Sequence, residues 1–286
     1  MTPDLIVFKG LIASLPSDAQ IELLKYTTEK ERTILSTIHA PRFDPTVGIA
    51  PYDDRIKKIH HTWIVKILQD LPAADRPWLI APLPKETKEK ITKDLPIKKK
   101  NPSPFAQKYL AELLYTSLTQ NHDNLLPEEC LPMHPLNDLL DTPYKSLIHF
   151  IDYLGLHDLS AEMKTMIHTK NIRMIEAALK SDQKTYLRKL LGEKEPVVFS
   201  KINLNDWDGN EEKLRTVIHQ RGLNRLAKAL YGANSSLIWH LTHRLDLARA
   251  NFIETYLKDI KNRTAHEILL KQTTELLQYL KEKVSA

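Results

Sequence analysis

The residues most suited to chemistry in this 286-residue chain are one cysteine and a few histidines. Cys130-Leu131-Pro132-Met133-His134 sets a thiol four residues before an imidazole, the residue types of a nucleophile with its base or of two metal ligands. Pro132 denies the pair a regular helix, and no second cysteine exists to complete a zinc site, so a loop cysteine is expected. His60-His61 and His240-x-x-His243 are the other clusters. The second can share a helix face, but no carboxylate stands at the usual spacing to join it on a metal. Asp206-Trp207-Asp208-Gly209-Asn210 has the look of a calcium loop. That loop needs an acid five residues before its glycine, where Leu204 stands, and a helix-capping turn is the better reading. Neither G-x-x-x-x-G-K nor G-x-G-x-x-G occurs, which leaves phosphate-loop chemistry without support. These residues predict a protein that is not an enzyme, with no catalytic residue, no cofactor and no metal.

Helices must carry whatever site there is. Apolar residues recur at helical spacing almost throughout: Leu5, Phe8, Leu11, Ile12 and Leu15; then Ile56, Ile59, Trp63, Ile64, Ile67, Leu68 and Leu71. Ser17 and Thr28 stand where N-caps are needed. Glycine is scarce at 7 and proline reaches 17, a balance that suits helices started and stopped by proline better than loops that need positive φ. From Pro143 onward the pattern predicts helices over 143–154, 157–168, 170–180, 183–191, 211–220, 222–231, 234–242, 244–260 and 264–283. Val197-Val198-Phe199 alone looks strand-like and is too short to build a sheet. The expected fold class is all-α, a multi-domain array of small helical modules with no significant sheet.

Two internal repeats support modules. Leu15-Pro16 recurs as Leu71-Pro72, 56 residues on, and the same register matches Leu11 to Ile67, Ile12 to Leu68, Leu23 to Leu79, Leu24 to Ile80 and Leu35 to Ile91. Gly155-Leu156 recurs as Gly222-Leu223, 67 residues on, with Leu147 matching Leu214, Ile151 matching Ile218, and Leu159 matching Leu226. Duplicated helical modules bury their apolar faces against neighbours and leave broad surfaces for partners.

The net charge is +5, and between Lys85 and Lys100 seven lysines face three acids, so most of the excess is local. The lysines share that stretch with Pro96 and, just beyond it, Pro102 and Pro104, which predicts a solvated linker over 93–104. The single cysteine excludes an intramolecular disulfide and fits a reducing cytoplasm. The N-terminus lacks the basic region of a signal peptide, and no apolar run approaches the ~20 residues of a membrane span.

The Leu-Pro units and the C-terminal stretch together resemble the flagellar motor switch protein FliG. Residues 225–277 carry the resemblance most clearly: Leu226, Ala227, Ala229, Leu230, Gly232, Ala233, Leu257 and Gln272 fall on the family pattern without a gap. The family's middle domain opens with a Glu-His-Pro-Gln motif that contacts the switch ring, and of it only His60 survives here. Its torque helix carries an arginine and two adjacent acids, at places held here by Ala248, Thr255 and Tyr256. The arginine of the turn before its last helix corresponds to Thr264, although Arg249 and Arg263 sit one residue from family positions. One residue turns a side chain by about 100° around a helix. The resemblance therefore implies a rotor-type scaffold that does not rotate anything. It points to the adaptor of a virulence-type type III secretion injectisome, between a membrane ring and a cytoplasmic sorting platform.

The expected modules are 1–46, 53–92, a linker over 93–104, 105–200, and 201–286 with the family-like C-terminus. The candidate partner-contacting residues are His60, Trp63, Trp78, Arg249 and Arg263. The expected partners are a membrane-ring protein and a cytoplasmic switch or platform protein, with self-association in an assembled ring. The expected location is the cytoplasm, peripheral to the inner membrane. The competing reading is a nucleic-acid-binding protein that uses the Lys85–Lys100 segment.

Overall fold

The computed structural model describes residues 3–40, 44–98, 100–122, 124–197, 199, 202, 204, 207–258 and 260–285. Pro41, Lys99, Val198, Asp206 and Asp259 lie outside them, among these the centre of the strand-like triplet and the first acid of the calcium-like loop. The fold is all-α, and no strand occurs among the described residues. In chain order the helices are α1 (Pro3–Ser14), α2 (Ser17–Leu24), α3 (Glu29–Thr37), α4 (Pro45–Gly48), α5 (Tyr52–Lys57), α6 (His61–Gln69), α7 (Arg76–Leu79) and α8 (Lys85–Asp94). They continue with α9 (Pro104–Thr119), α10 (Tyr144–Met163), α11 (Thr169–Ala178), α12 (Ser181–Gly192), α13 (Glu211–Ala229), α14 (Ser235–Arg244), α15 (Leu247–Tyr256) and α16 (Arg263–Ser285). None of the described helices is long and apolar enough to cross a membrane.

The chain forms two compact units: residues 1–140 with 233–250, and residues 141–232 with 251–286. This division does not follow the expected segmentation at 93–104 and 200/201. In the first unit Ile56, Ile64, Leu68, Ile91, Ala111 and Leu114 are buried in one core, and Leu95 and Ile97 pack against it. The segment read as a linker therefore alternates, with its apolar side chains turned inward while Lys98 and Lys100 stay exposed. Both copies of the Leu-Pro repeat form a helix, a proline turn, a short helix and a further helix, as α1–α3 and α6–α8. Thr28 caps α3 through a box with Glu31, which satisfies the first free backbone N–H groups.

In the second unit the later repeat becomes a helix crossing. Leu147, Ile151, Gly155 and Leu159 form a four-residue ridge on α10, and Leu214, Ile218, Gly222 and Leu226 form its counterpart on α13, all buried. A Cβ on Gly155 would sit 1.9 Å from the Ile218 carbonyl oxygen, and one on Gly222 would sit 1.8 Å from that of Ile151. These are one contact seen from its two sides, because the partners exchange under the 67-residue shift. Asp152 meets His219 at 2.6 Å and Asp158 meets Arg225 at 2.6 Å, each pair itself separated by 67. A residue that meets its own counterpart, with order preserved along both helices, requires α10 and α13 to run in the same direction about a local pseudo-twofold axis. The expected breaks near 155 and 221 are absent: α10 and α13 are continuous, because each glycine serves close approach and not termination.

Candidate functional site

The first unit gathers its aromatic and charged residues where α6 meets the end of α14. His60 precedes α6 and caps it, its Nδ1 accepting from the Thr62 backbone N–H at 3.4 Å. The backbone N–H of His60 donates to the His243 carbonyl at 2.8 Å, and Thr62 Oγ1 accepts from the Leu247 N–H at 3.2 Å. Trp63 Nε1 donates to the Leu245 carbonyl at 3.0 Å. The Trp63 ring stacks on His243 at 3.8 Å, and Trp239 stacks on His243 at 3.9 Å. His243 is thus an aromatic spacer whose Nδ1 donates to the Trp239 carbonyl at 2.9 Å, and His240 Nε2 donates to the Leu126 carbonyl at 2.7 Å. Beside them Glu128 takes Lys58 at 2.6 Å and Arg244 at 3.0 Å. Burial works against the Glu128 carboxylate, but Arg244 and Lys58 overcome it and hold its pKa below the usual range.

These contacts assign the histidine pair to packing. No group of three or more histidine, cysteine or acidic side chains is placed to hold a metal ion among the described residues. Burial lowers His243 to about 3, and burial with the neighbouring His61 lowers His60 to about 4. A neutral histidine in the folded state and an ordinary one near 6.5 in the unfolded chain give a definite sign. Below about pH 6.5 the unfolded chain binds a proton that folded His243 refuses, so stability falls as pH drops, by about 1.4 kcal/mol per pH unit, until pH approaches 3. Urea unfolding at pH 7 and pH 5 should show the loss, and His243→Phe, which keeps a ring between the tryptophans, should reduce the slope by the His243 share while His60 keeps its own. An unchanged pH slope in that variant would remove His243 as the cause.

The second unit holds a buried ionic cluster. Arg225 is 1% exposed. Its Nε and Nη2 donate to Asp158 Oδ1 at 2.9 and 2.6 Å, Nη2 also to the Val197 carbonyl at 2.8 Å, and Nη1 to Gln272 Oε1 at 3.1 Å and Glu195 Oε1 at 3.3 Å. Gln272 Nε2 donates to Glu195 Oε1 at 2.8 Å. His157 bridges Glu195 Oε2 at 2.8 Å and the Tyr186 hydroxyl at 3.0 Å. Burial opposes the Glu195 charge, but the hydrogen bond from His157 and the Arg225 guanidinium prevail and hold its pKa at about 2. Burial prevails at Asp158, whose pKa lies above its ordinary value despite Arg225. A cleft of about 320 Å³ opens beside the cluster, lined in part by Tyr186, Lys189, Glu193, Lys271 and Tyr279. Carboxylate, imidazole and phenol in series are the parts of a proton relay. Here both ring nitrogens of His157 are engaged, and burial raises the Tyr186 phenol. The arrangement fastens the loop that carries Glu195 and Val197 to α10, α13 and α16.

No family model, curated protein or solved structure matches the chain.

Of the five sequence-derived candidates, the structure brings three together. His60 and Trp63 lie at the start of α6, and Arg249 pairs with Asp246 one turn after the Leu245 carbonyl that Trp63 holds. Trp78 stands apart on α7, 40% exposed, with Lys100 Nζ 4.8 Å over its ring. Arg263 belongs to the second unit, exposed at the start of α16 and paired with Glu267 at 2.8 Å. Cys130 is buried, and burial raises its thiol to about 11, so no thiolate stands ready to react. His134 accepts the Leu136 N–H at 3.2 Å. Asn210 caps α13 through the Lys213 N–H at 3.0 Å, and Asp208 accepts from Lys213 Nζ at 2.7 Å, which makes the calcium-like turn a helix cap.

Two features were not picked out from the sequence. Asp158 and Arg225 occupy equivalent positions of the 67-residue repeat, one acid and one base, and that pairing was the available signal. Phe105, Tyr109 and Leu113 form an outward stripe on α9, 84%, 62% and 41% exposed, while Ala111, Leu114, Tyr115 and Leu118 face the core. Their i, i+4, i+8 spacing was visible, but the inward set has helical spacing too.

Proposed function

We propose that this chain is a non-catalytic helical scaffold that binds other proteins. The observation that carries the reading is where large apolar side chains stay exposed: Tyr26, Phe105, Tyr109, Met133 and Ile167 lie outside both cores, while His157, His240 and Glu128 are engaged by Tyr186, the Leu126 carbonyl and Arg244 within the fold. Apolar groups left in water on a rigid frame are the usual material of protein interfaces. The resemblance to FliG supports a finer form of the reading, an adaptor between a membrane ring and a cytoplasmic platform of a type III secretion or flagellar-type apparatus. Ala248, Thr255 and Tyr256 at the places of the torque charges favour a member that transmits no rotation.

The test is affinity capture of the full chain from its own cell, after crosslinking in the cell, with identification of the bound proteins. A ring protein and a platform protein should be recovered together. Removal of residues 1–92 is unsuitable as a test, because Ile64, Leu68 and Ile91 share a core with Ala111 and Leu114. Recovery of nucleic acid alone, with affinity falling steeply as salt rises, would overturn the reading in favour of the lysine-rich segment.

A further inference from the structure

We propose that the outer face of α9 is the docking surface for an acidic amphipathic helix of a partner protein. The proposal rests on the protein-binding reading above and gives it a place and a chemistry. Phe105, Tyr109 and Leu113 stand four apart, so each is about 40° further round the helix than the last, and together they run roughly 12 Å along it. The opposite side of α9 already fills the core through Ala111, Leu114, Tyr115 and Leu118, so the fold makes no use of the stripe. A phenylalanine 84% exposed is unfavourable in water unless something covers it. Trp78 adds a further exposed ring from α7, which packs beside α9. Lys100 lies over that ring and leads into α9 within five residues, so the tryptophan and the stripe are joined by one short stretch of chain.

Charge selects the occupant. Lys108 is exposed on α9 between Phe105 and Tyr109, Lys98 and Lys100 are exposed on the segment that leads into α9, and none of the three forms an ion pair with a described residue. Glu112 is exposed one turn beyond Lys108, on the same flank of the stripe. The surface is therefore an apolar stripe flanked by three exposed lysines and one exposed acid, a net cationic setting. A partner helix meets all three demands with apolar residues at i and i+4, carboxylates toward the lysines and a single cation toward Glu112. An anionic lipid surface meets the rings and the lysines but repels Glu112, and a nucleic-acid backbone does the same.

The experiment places the photo-crosslinking residue benzoylphenylalanine at position 109 of the full chain in its own cell, with a second sample carrying it at position 167. Ile167 is 89% exposed and lies on the other unit. The expected result is one protein joined to position 109 through a net-acidic, helix-forming segment. Phe105→Asp combined with Tyr109→Asp should weaken its binding by at least about 30-fold, the scale of losing a hot-spot anchor. Lys100→Glu with Lys108→Glu should weaken it roughly fivefold to tenfold, the scale of rim charges. Both double variants alter exposed positions, so their circular dichroism and melting should match the parent. The proposal is overturned if position 109 joins a second copy of this chain, or a nucleic acid. Binding of the full chain to vesicles of phosphatidylserine and phosphatidylcholine that Tyr109→Asp abolishes also overturns it. So does capture of a protein at 167 with none at 109, which leaves the scaffold reading standing. Capture of no protein at either position, together with failed affinity capture, sinks the scaffold reading itself.

Discussion

Gly155→Ala is expected to disrupt the second unit, and Gly222→Ala to do the same. The added Cβ would lie 1.9 Å from the Ile218 carbonyl oxygen in the first case and 1.8 Å from that of Ile151 in the second. The obstruction is backbone, so no rotamer change relieves it, and α10 and α13 must move apart along the whole ridge of leucines and isoleucines. Overpacking of side chains costs about 1–3 kcal/mol, and a backbone collision that separates two helices belongs with the exceptional losses above about 4 kcal/mol. A loss of that size is a large part of the stability of an ordinary domain. Hydrogen exchange should show amides of α10 and α13 losing most of their protection. Gly192→Ala provides the contrast. Nothing lies within 4 Å of its added Cβ, and it ends α12, so it should be neutral or stabilise by up to about 1 kcal/mol. If Gly155→Ala melted within about 1 kcal/mol of the parent, the close crossing would not be what holds the two helices.

The same glycine shows where the sequence is legible and where it is not. The helical class follows from spacing alone, because apolar residues at 3.6-residue intervals have no other use over such lengths. The two Leu-Pro units are equally plain, since proline cannot continue a helix: Pro16 ends α1 and precedes α2, and Pro72 follows the end of α6. Glycine is ambiguous. It costs a helix about 1 kcal/mol, which reads as a break, yet it alone permits backbone contact between helices, and only the partner helix decides between the two. Leu95 and Ile97 sit among lysines and prolines, and composition averages them into a linker although their side chains turn toward the core. Residues 233–250 belong with the first unit although they lie between the two segments of the second in sequence, and no local pattern announces a return of that kind. Glu195 lies in a loop 38 residues from His157 and 30 from Arg225, where periodicity has nothing to say.

Arg225→Met should be the most damaging change of charge in the molecule. The arginine satisfies Asp158, Glu195, Gln272 and the Val197 carbonyl at once, and methionine fills similar space while leaving two buried carboxylates without the guanidinium that donates to both. Breaking a buried pair from one side costs about 3–5 kcal/mol, much of it the penalty of the charge left behind. Removing the charges together should restore most of that loss: Arg225→Met with Asp158→Leu and Glu195→Gln is expected to approach the parent. The two acids are not equivalent. Glu195 has a folded pKa of about 2, below its unfolded value, so its contribution is present above about pH 4.5 and is lost as pH falls toward 2. Asp158 has a raised pKa, so its ionisation costs stability as pH rises through the folded value, and Oδ2 is buried without a hydrogen-bond partner. Asp158→Asn keeps an acceptor for Nε and Nη2 and removes that cost, so it should change stability little. Denaturant unfolding of these variants at pH 7 and pH 4 separates the roles. Losses of similar size in Arg225→Met and Asp158→Asn would mean that Asp158, and not Glu195, carries the cluster.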